Sequence, residues 1–144
     1  MQAFPHHYAA TAQAASDSLV SITTTDCTPI ISAPPAEFGG PGDQWSPETL
    51  FVASVADCFI LSFKAIASAS RFEWLNLECA ANGVLDKVER SIQFTEIHLS
   101  ATITLAEGGD REKAMKLLEK AEQTCLISNS LSAKVHLESQ VLIG

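Results

Sequence analysis

Residues 46–59 read SPETLFVASVADCF, a helix start followed by an almost unbroken apolar run. Ser46 is a favoured N-cap residue, Pro47 suits the first helical position, and Glu48 adds a negative charge to the first turn. The pattern predicts a helix over residues 47–69. Because this helix is apolar on nearly all sides, it must be central and covered on more than one face, and we expect a second subunit to complete its burial.

The same helix approaches the length needed to cross a bilayer, so its charged residues decide how it is interpreted. Residues 50–69 include Asp57 and Lys64 besides several serines. A bilayer penalises such charges strongly. The sequence therefore favours a buried helix over a membrane span.

Strand patterns lie on both sides of this helix. Residues 7–33 predict short strands, since Val20 and Ile22 alternate with polar neighbours. Residues 74–88 and 97–105 alternate in the same way and predict a long antiparallel hairpin with one dry face and one wet face.

A second helix and a last strand complete the chain. Gly108-Gly109-Asp110 ends the hairpin and caps a helix whose apolar residues recur at helical spacing. Residues 135–143 then alternate as a final strand. We therefore predict an α+β fold, in which a central buried helix and a second helix pack on a mostly antiparallel sheet.

Composition limits the function classes. A chain of 144 residues, 47% hydrophobic and 18% charged, predicts a single globular domain over residues 1–144. The net charge of −8 and only nine basic residues argue against nucleic acid and anionic membranes as partners. Residues 1–7 lack the basic and apolar blocks of a signal peptide, so we expect a cytoplasmic protein with reduced thiols.

Two of the four cysteines lie in contexts that suggest chemistry. Cys58 sits within the apolar helix and Cys125 directly follows the second helix; such a distant pair suggests thiol redox chemistry, although each thiol alone is more often a small hydrophobe. We interpret Cys27 and Cys79 as core hydrophobes. Since no Cys or His pair has metal-ligand spacing and no glycine-rich phosphate loop is present, we expect no metal and no bound cofactor.

The residues around both cysteines match a known family. Residues 46–51, SPETLF, followed by Cys58-Phe59, resemble the OsmC/Ohr family of thiol-dependent hydroperoxide reductases. Residues 125–131, CLISNSL, are similar as well, although the family typically has Pro after the cysteine. Residues 37–40 and 8–12 look like the Ohr branch. The resemblance covers essentially the whole chain.

The resemblance implies an intertwined homodimer with two active sites at its interface. Cys58 would be the peroxidatic thiolate, which attacks an organic hydroperoxide and becomes a sulfenic acid. Cys125 would be the resolving thiol, and a lipoyl-type or other dithiol would reduce the resulting disulfide. Glu48 matches the family's active-site carboxylate.

Helix geometry sets one condition on this site. In a straight helix, Glu48 and Cys58 are about 15 Å apart along the axis and cannot touch within one chain. If Glu48 serves the thiol, it therefore comes from the partner subunit, and the two central helices run antiparallel.

The chain departs from the family pattern at one position. Ohr proteins carry an early Arg that pairs with the Glu and favours the thiolate, but no Arg precedes Arg71 here. A buried thiol without a nearby cation has a raised pKa. Lys64, His6 and His7 are the candidate substitutes.

Three functions follow from the sequence. The first is a peroxidase acting on organic hydroperoxides, which the apolar surroundings of Cys58 favour over hydrogen peroxide. The second is a thiol redox sensor or disulfide-exchange protein without peroxidase activity. The third is a non-enzymatic protein that binds an apolar small molecule.

Overall fold

The computed structural model describes residues 1–144 as two compact units, Met1–Leu50 and Phe51–Gly144. The first unit contains a three-stranded antiparallel sheet in the order β1-β2-β3. Its strands are β1 (Thr11–Gln13), β2 (Val20–Thr23) and β3 (Ile30–Ser32). The short strands predicted for residues 7–33 are therefore confirmed.

The predicted helix begins at the predicted residue. Helix α1 spans Pro47–Ala69 without a break. Ser46 Oγ accepts a hydrogen bond from the Thr49 amide at 3.1 Å, and the Ser46 amide donates to Thr49 Oγ1 at 2.9 Å. This reciprocal pair satisfies amides that the first helical turn leaves without intrahelical partners.

The second unit contains a sheet in the order β4-β5-β6. Strands β4 (Asn76–Val88) and β5 (Ser91–Leu105) form the predicted antiparallel hairpin. Helix α2 (Arg111–Thr124), capped by Asp110, leads to β6 (Lys134–Ile143), which pairs with β5 in parallel. The pairing is parallel because the chain returns through a helix rather than a tight turn. The α+β class and the mostly antiparallel pairing are thus confirmed.

The core of the second unit lies between one stripe of α1, α2 and the inner face of the sheet. The stripe repeats every fourth residue, which places it on one side of the helix. Its members are Val55, Phe59, Phe63 and Ala67. They join the buried residues of the hairpin and α2, among them Ile97, Leu99, Ile103, Leu105, Ala114 and Leu118.

A glycine allows α1 and β4 to pack closely. A Cβ atom on Gly83 would lie 2.7 Å from Val52 Cγ2 and 2.8 Å from the Phe94 ring. The Phe94 ring stacks on Phe51 with centroids 4.6 Å apart. The glycine at this strand position therefore makes room for the helix and its aromatic contact.

Most of the apolar surface of α1 is not buried within one chain. The helix is long and apolar enough to cross a membrane by length and composition alone, and 22% of its most apolar window is buried. Leu61 is 57% exposed. We predicted that α1 would be buried on more than one face. Within this chain only one stripe of the helix packs against the core, so the chain itself does not bury the other faces.

Candidate functional site

Cys58 lies in the middle of α1 and is half-buried. Its Sγ is 3.9 Å from Ser62 Oγ, one helical turn further on. The next residue, Phe59, belongs to the fully buried stripe, so Cys58 lies on the flank of that stripe. A thiol in this position is shielded on one side and open to a reactant on the other.

Cys125 ends α2 and is fully buried. Its amide donates to the Glu122 carbonyl at 3.3 Å, and its own carbonyl accepts from the Asn129 amide at 3.0 Å. The Ser130 hydroxyl donates to the Leu126 carbonyl at 2.8 Å. These bonds hold the residues after α2 in a compact turn, which fixes the thiol in the core.

Three effects act on the Cys125 thiol. Burial raises its pKa and is the largest effect, because a low-polarity surrounding disfavours the thiolate. The Ser128 hydroxyl and amide lower the pKa, although the hydroxyl contact falls outside standard hydrogen-bond geometry. Cys58 raises the pKa through a hydrogen bond and through charge repulsion. Cys58 therefore lies close enough to Cys125 to influence the ionisation of its thiol.

Cys79 is a third thiol beside this pair. It lies on β4, half-buried on the face that packs against the core. Burial, and secondly repulsion from Cys125, raise the pKa of Cys79 to about 11. Its packing agrees with the sequence interpretation as a hydrophobe, but its position next to Cys125 was not anticipated from the sequence.

Glu48 lies in the first turn of α1 and belongs to the first unit. It is half-buried, and its Oε2 is shielded from solvent without any hydrogen-bond partner. A buried carboxylate oxygen without a partner is costly in free energy. Glu48 is therefore a polar group that still requires a donor or a cation.

None of the candidate cations influences the thiols of Cys125 and Cys79. No positively charged group contributes to the pKa of Cys125 or of Cys79. Lys64 is exposed on α1 and forms no ion pair. In the first unit, His6 hydrogen-bonds the Gln2 carbonyl at 2.9 Å, and the neighbouring His7 is exposed.

The position of Cys27 differs from the one expected from the sequence. It is exposed rather than buried, and its amide donates to the Thr24 carbonyl at 3.3 Å in the turn that follows β2. The interpretation as a core hydrophobe was wrong because the residue lies outside the strands, where no apolar face holds it.

A polar cluster on the opposite face of the second sheet was missed in the sequence analysis. His136 Nε2 lies 3.0 Å from Glu96 Oε1, and His98 Nε2 lies 3.8 Å from Glu96 Oε2. Glu96 and His98 are two residues apart on a strand, a spacing that places them on one face. His136 joins them only because β6 pairs with β5 in parallel, with His98 opposite His136.

Comparisons with known proteins identify a family for this chain and agree with its fold. Residues 40–140 match the family model described as OsmC-like protein. The uncharacterized protein YmaD of Bacillus subtilis is 28% identical over 76% of this chain and 77% of its own length. Peroxiredoxin OsmC of Escherichia coli is 27% identical over 67% of this chain and 66% of its own length.

A solved structure extends the comparison to almost the full length. An organic hydroperoxide resistance protein OsmC from Legionella pneumophila superposes with a TM-score of 0.74 and 26% identity. The match covers 96% of this chain and 99% of the Legionella chain. On the family match over most of its residues, and with the same fold, this chain belongs to the OsmC-like protein family.

Proposed function

We propose that this protein is a thiol-dependent peroxidase that reduces organic hydroperoxides in the cytoplasm. The observation that supports the proposal best is the proximity of the half-buried Cys58 thiol to the fully buried Cys125 thiol. The relatives named a peroxiredoxin and an organic hydroperoxide resistance protein support the same reaction class.

The proposed reaction proceeds in three steps. The Cys58 thiolate attacks the distal oxygen of the hydroperoxide, the O–O bond breaks, and the alkoxide takes a proton and leaves as an alcohol. Cys125 then attacks the sulfur of the Cys58 sulfenic acid, and a disulfide forms as water leaves. Finally an external dithiol reduces this disulfide by exchange and is itself oxidised to a disulfide.

The surroundings of Cys58 favour an organic substrate. Leu61, three residues after Cys58 on α1, is 57% exposed, and the half-buried Phe51 ring stacks on Phe94, so accessible apolar groups lie along this helix. An alkyl or acyl chain gains free energy by leaving water beside such groups, whereas hydrogen peroxide has no apolar part to bury.

The active form is proposed to be a homodimer with Glu48 supplied across the interface. Helix α1 is continuous, so Glu48 and Cys58 stay ten residues apart along it. A second copy would cover the apolar faces of α1 that one chain leaves open. It would also offer a partner to the unpaired Oε2 of Glu48.

Stopped-flow oxidation of the reduced protein by an alkyl hydroperoxide tests the reaction. We expect rapid consumption of one hydroperoxide per chain and the loss of two thiols, with Cys58 joined to Cys125 on peptide mapping. Cys58→Ser should abolish the reaction, and Cys27→Ser is the matched control because Cys27 is exposed and outside the cluster. Rapid consumption that persists in Cys58→Ser would exclude the mechanism.

A redox sensor is the second candidate function. Burial raises the pKa of Cys125 and of Cys79, and no nearby cation lowers it again. A sensor needs only slow or stoichiometric oxidation, since it does not have to turn over. Steady-state turnover with a dithiol reductant separates the two: sustained turnover supports the peroxidase, and a single oxidation event without turnover supports the sensor.

A further inference from the structure

We propose that Glu96, His98 and His136 form a binding site for a divalent transition-metal ion, with Zn²⁺ as the ion that fits best. All three residues belong to the second unit, and their donor atoms lie within 4.8 Å of one another. Two imidazoles and one carboxylate are ligands that Zn²⁺ accepts in a four-coordinate site with one open position.

The donor atoms of both histidines lie around one carboxylate. Both histidines direct Nε2 toward the same carboxylate, His136 at 3.0 Å from Oε1 and His98 at 3.8 Å from Oε2. With metal–ligand bonds of about 2.0–2.2 Å, tetrahedral donors are separated by roughly 3.4 Å. The two distances lie on either side of this value and run to different carboxylate oxygens, so the side chains must turn to place both Nε2 atoms and one oxygen around an ion.

The sheet holds the ligands in register while leaving them free to adjust. His98 and His136 are opposite one another on the β5–β6 pair, and their rings are stacked with centroids 4.8 Å apart and an interplanar angle of 11°. The side chains of Glu96, His98 and His136 are 44%, 48% and 36% exposed. Side-chain rotation can therefore tilt the two rings toward a shared ion without disturbing the core.

The position of the cluster separates it from the thiols. On its face of β6, Glu138 lies two residues after His136, and its charge is offset by Lys134, the register partner of Glu96. Cys79 faces the core on β4, whereas His98 alternates with the buried Ile97 and Leu99 on β5. The cluster therefore lies on the opposite face of the sheet from Cys79, and it is a site separate from the proposed thiol reaction.

Zinc titration of the reduced protein, followed by competition with a chromophoric chelator, tests this site. We expect one Zn²⁺ per chain in the wild type and in Cys58→Ser. Binding that persists in Cys58→Ser would show that the zinc is not held by the thiol pair. His98→Ala, His136→Ala and Glu96→Gln should each weaken binding by about tenfold or more, since even indirect partners of metal ligands are worth about 10–100-fold. His7→Ala is the matched control and should bind as the wild type does.

Two further readouts keep the test independent of any activity. Zn²⁺ should raise the melting temperature of the wild type by mass action and leave that of His98→Ala unchanged. Co²⁺ in place of Zn²⁺ should give absorption without an intense thiolate charge-transfer band. Wild-type affinity in the three ligand variants, no zinc binding by the wild type, or loss of zinc only in Cys58→Ser would overturn the proposal.

Discussion

Three thiols in one small region differ in exposure, and this difference decides their chemistry. Cys58 is half-buried on the flank of α1, and Cys125 is fully buried at the end of α2. Cys79 adjoins Cys125 from the sheet side, with its pKa raised to about 11 mainly by burial. The thiol best placed to meet a hydroperoxide is therefore Cys58, while burial raises the pKa of the Cys125 thiol and shields it from solvent.

Replacing Cys79 should change stability at alkaline pH. The pKa of Cys79 is about 11 in the folded chain, against 9.0 for an unperturbed thiol. The unfolded state therefore loses this proton first, so stability is fully present below about pH 9 and is lost as the pH rises through about 11. Because water still reaches this thiol, we expect a loss of about 1–2 kcal/mol rather than the full effect of the shift.

Urea unfolding between about pH 8 and about pH 11 measures this effect. The free energy of unfolding should fall with pH more steeply in the wild type than in Cys79→Ala. Cys27→Ala is the control, since Cys27 is exposed and no such difference is expected. Equal slopes for the wild type and Cys79→Ala would contradict the assignment.

At the scale of elements, α1 depends on its first turn and on one contact with the hairpin. Ser46 is buried and exchanges two hydrogen bonds with Thr49. Further along, Val52 packs where Gly83 carries no side chain. These two points fix where the helix begins and how closely it approaches the sheet of the second unit.

Removing the helix cap should destabilise the chain. Ser46→Ala deletes the acceptor for the Thr49 amide and leaves that first-turn amide without its partner. We expect a loss of about 1 kcal/mol, within the usual range of about 0.5–2 kcal/mol for such caps. Chemical denaturation measures it, with Ser68→Ala on the exposed side of α1 as the control. A loss no larger than that of the control would show that the cap is not stabilising.

Adding a methyl group at Gly83 should strain the contact between α1 and β4. Gly83→Ala places a Cβ atom 2.7 Å from Val52 and 2.8 Å from the Phe94 ring, so one of these groups must move. Overpacking of this kind costs about 1–3 kcal/mol. The denaturation midpoint should fall accordingly, while Asn82→Ala, at the exposed neighbouring position, should change it little. An unchanged midpoint in Gly83→Ala would mean that the helix adjusts freely.

At the scale of the whole molecule, one chain leaves a long apolar helix only partly covered. Large exposed apolar surfaces on a folded protein mark interaction sites. The length and hydropathy of α1 also suit a membrane span, yet Asp57 and Lys64 lie within it, and such charges are costly in a bilayer. A second copy of the chain is the partner that the family resemblance implies.

A charge on the exposed side of α1 should dissociate the proposed dimer. Light scattering should give twice the 15.4 kDa of one chain for the wild type and a single-chain mass for Leu61→Glu, because a buried unpaired carboxylate is unfavourable at an interface. Leu75→Glu is the matched control, since Leu75 is equally exposed but lies outside α1. A wild type with the mass of one chain would contradict the dimer.

The helix starts, the hairpin and the α+β class were predictable because their signals are local. Ser46 before Pro47, and Asp110 before α2, are caps that act within one helical turn, and the alternation in β4 and β5 reflects one buried face. Cys27 was misinterpreted because nothing local separates a turn cysteine from a core cysteine. Its exposure depends on where the strands around it end.

What only the tertiary structure decided is which distant residues meet. The sequence indicated that Cys58 and Cys125 form a pair, from their context and from the family resemblance. The position of Cys79 next to Cys125 depends instead on how β4 packs beside the end of α2. The Glu96, His98 and His136 cluster depends on β6 joining β5 in parallel rather than antiparallel register. Caps and periodicity are set by residues within a few positions of one another, whereas strand register and thiol proximity are set by how the whole core packs.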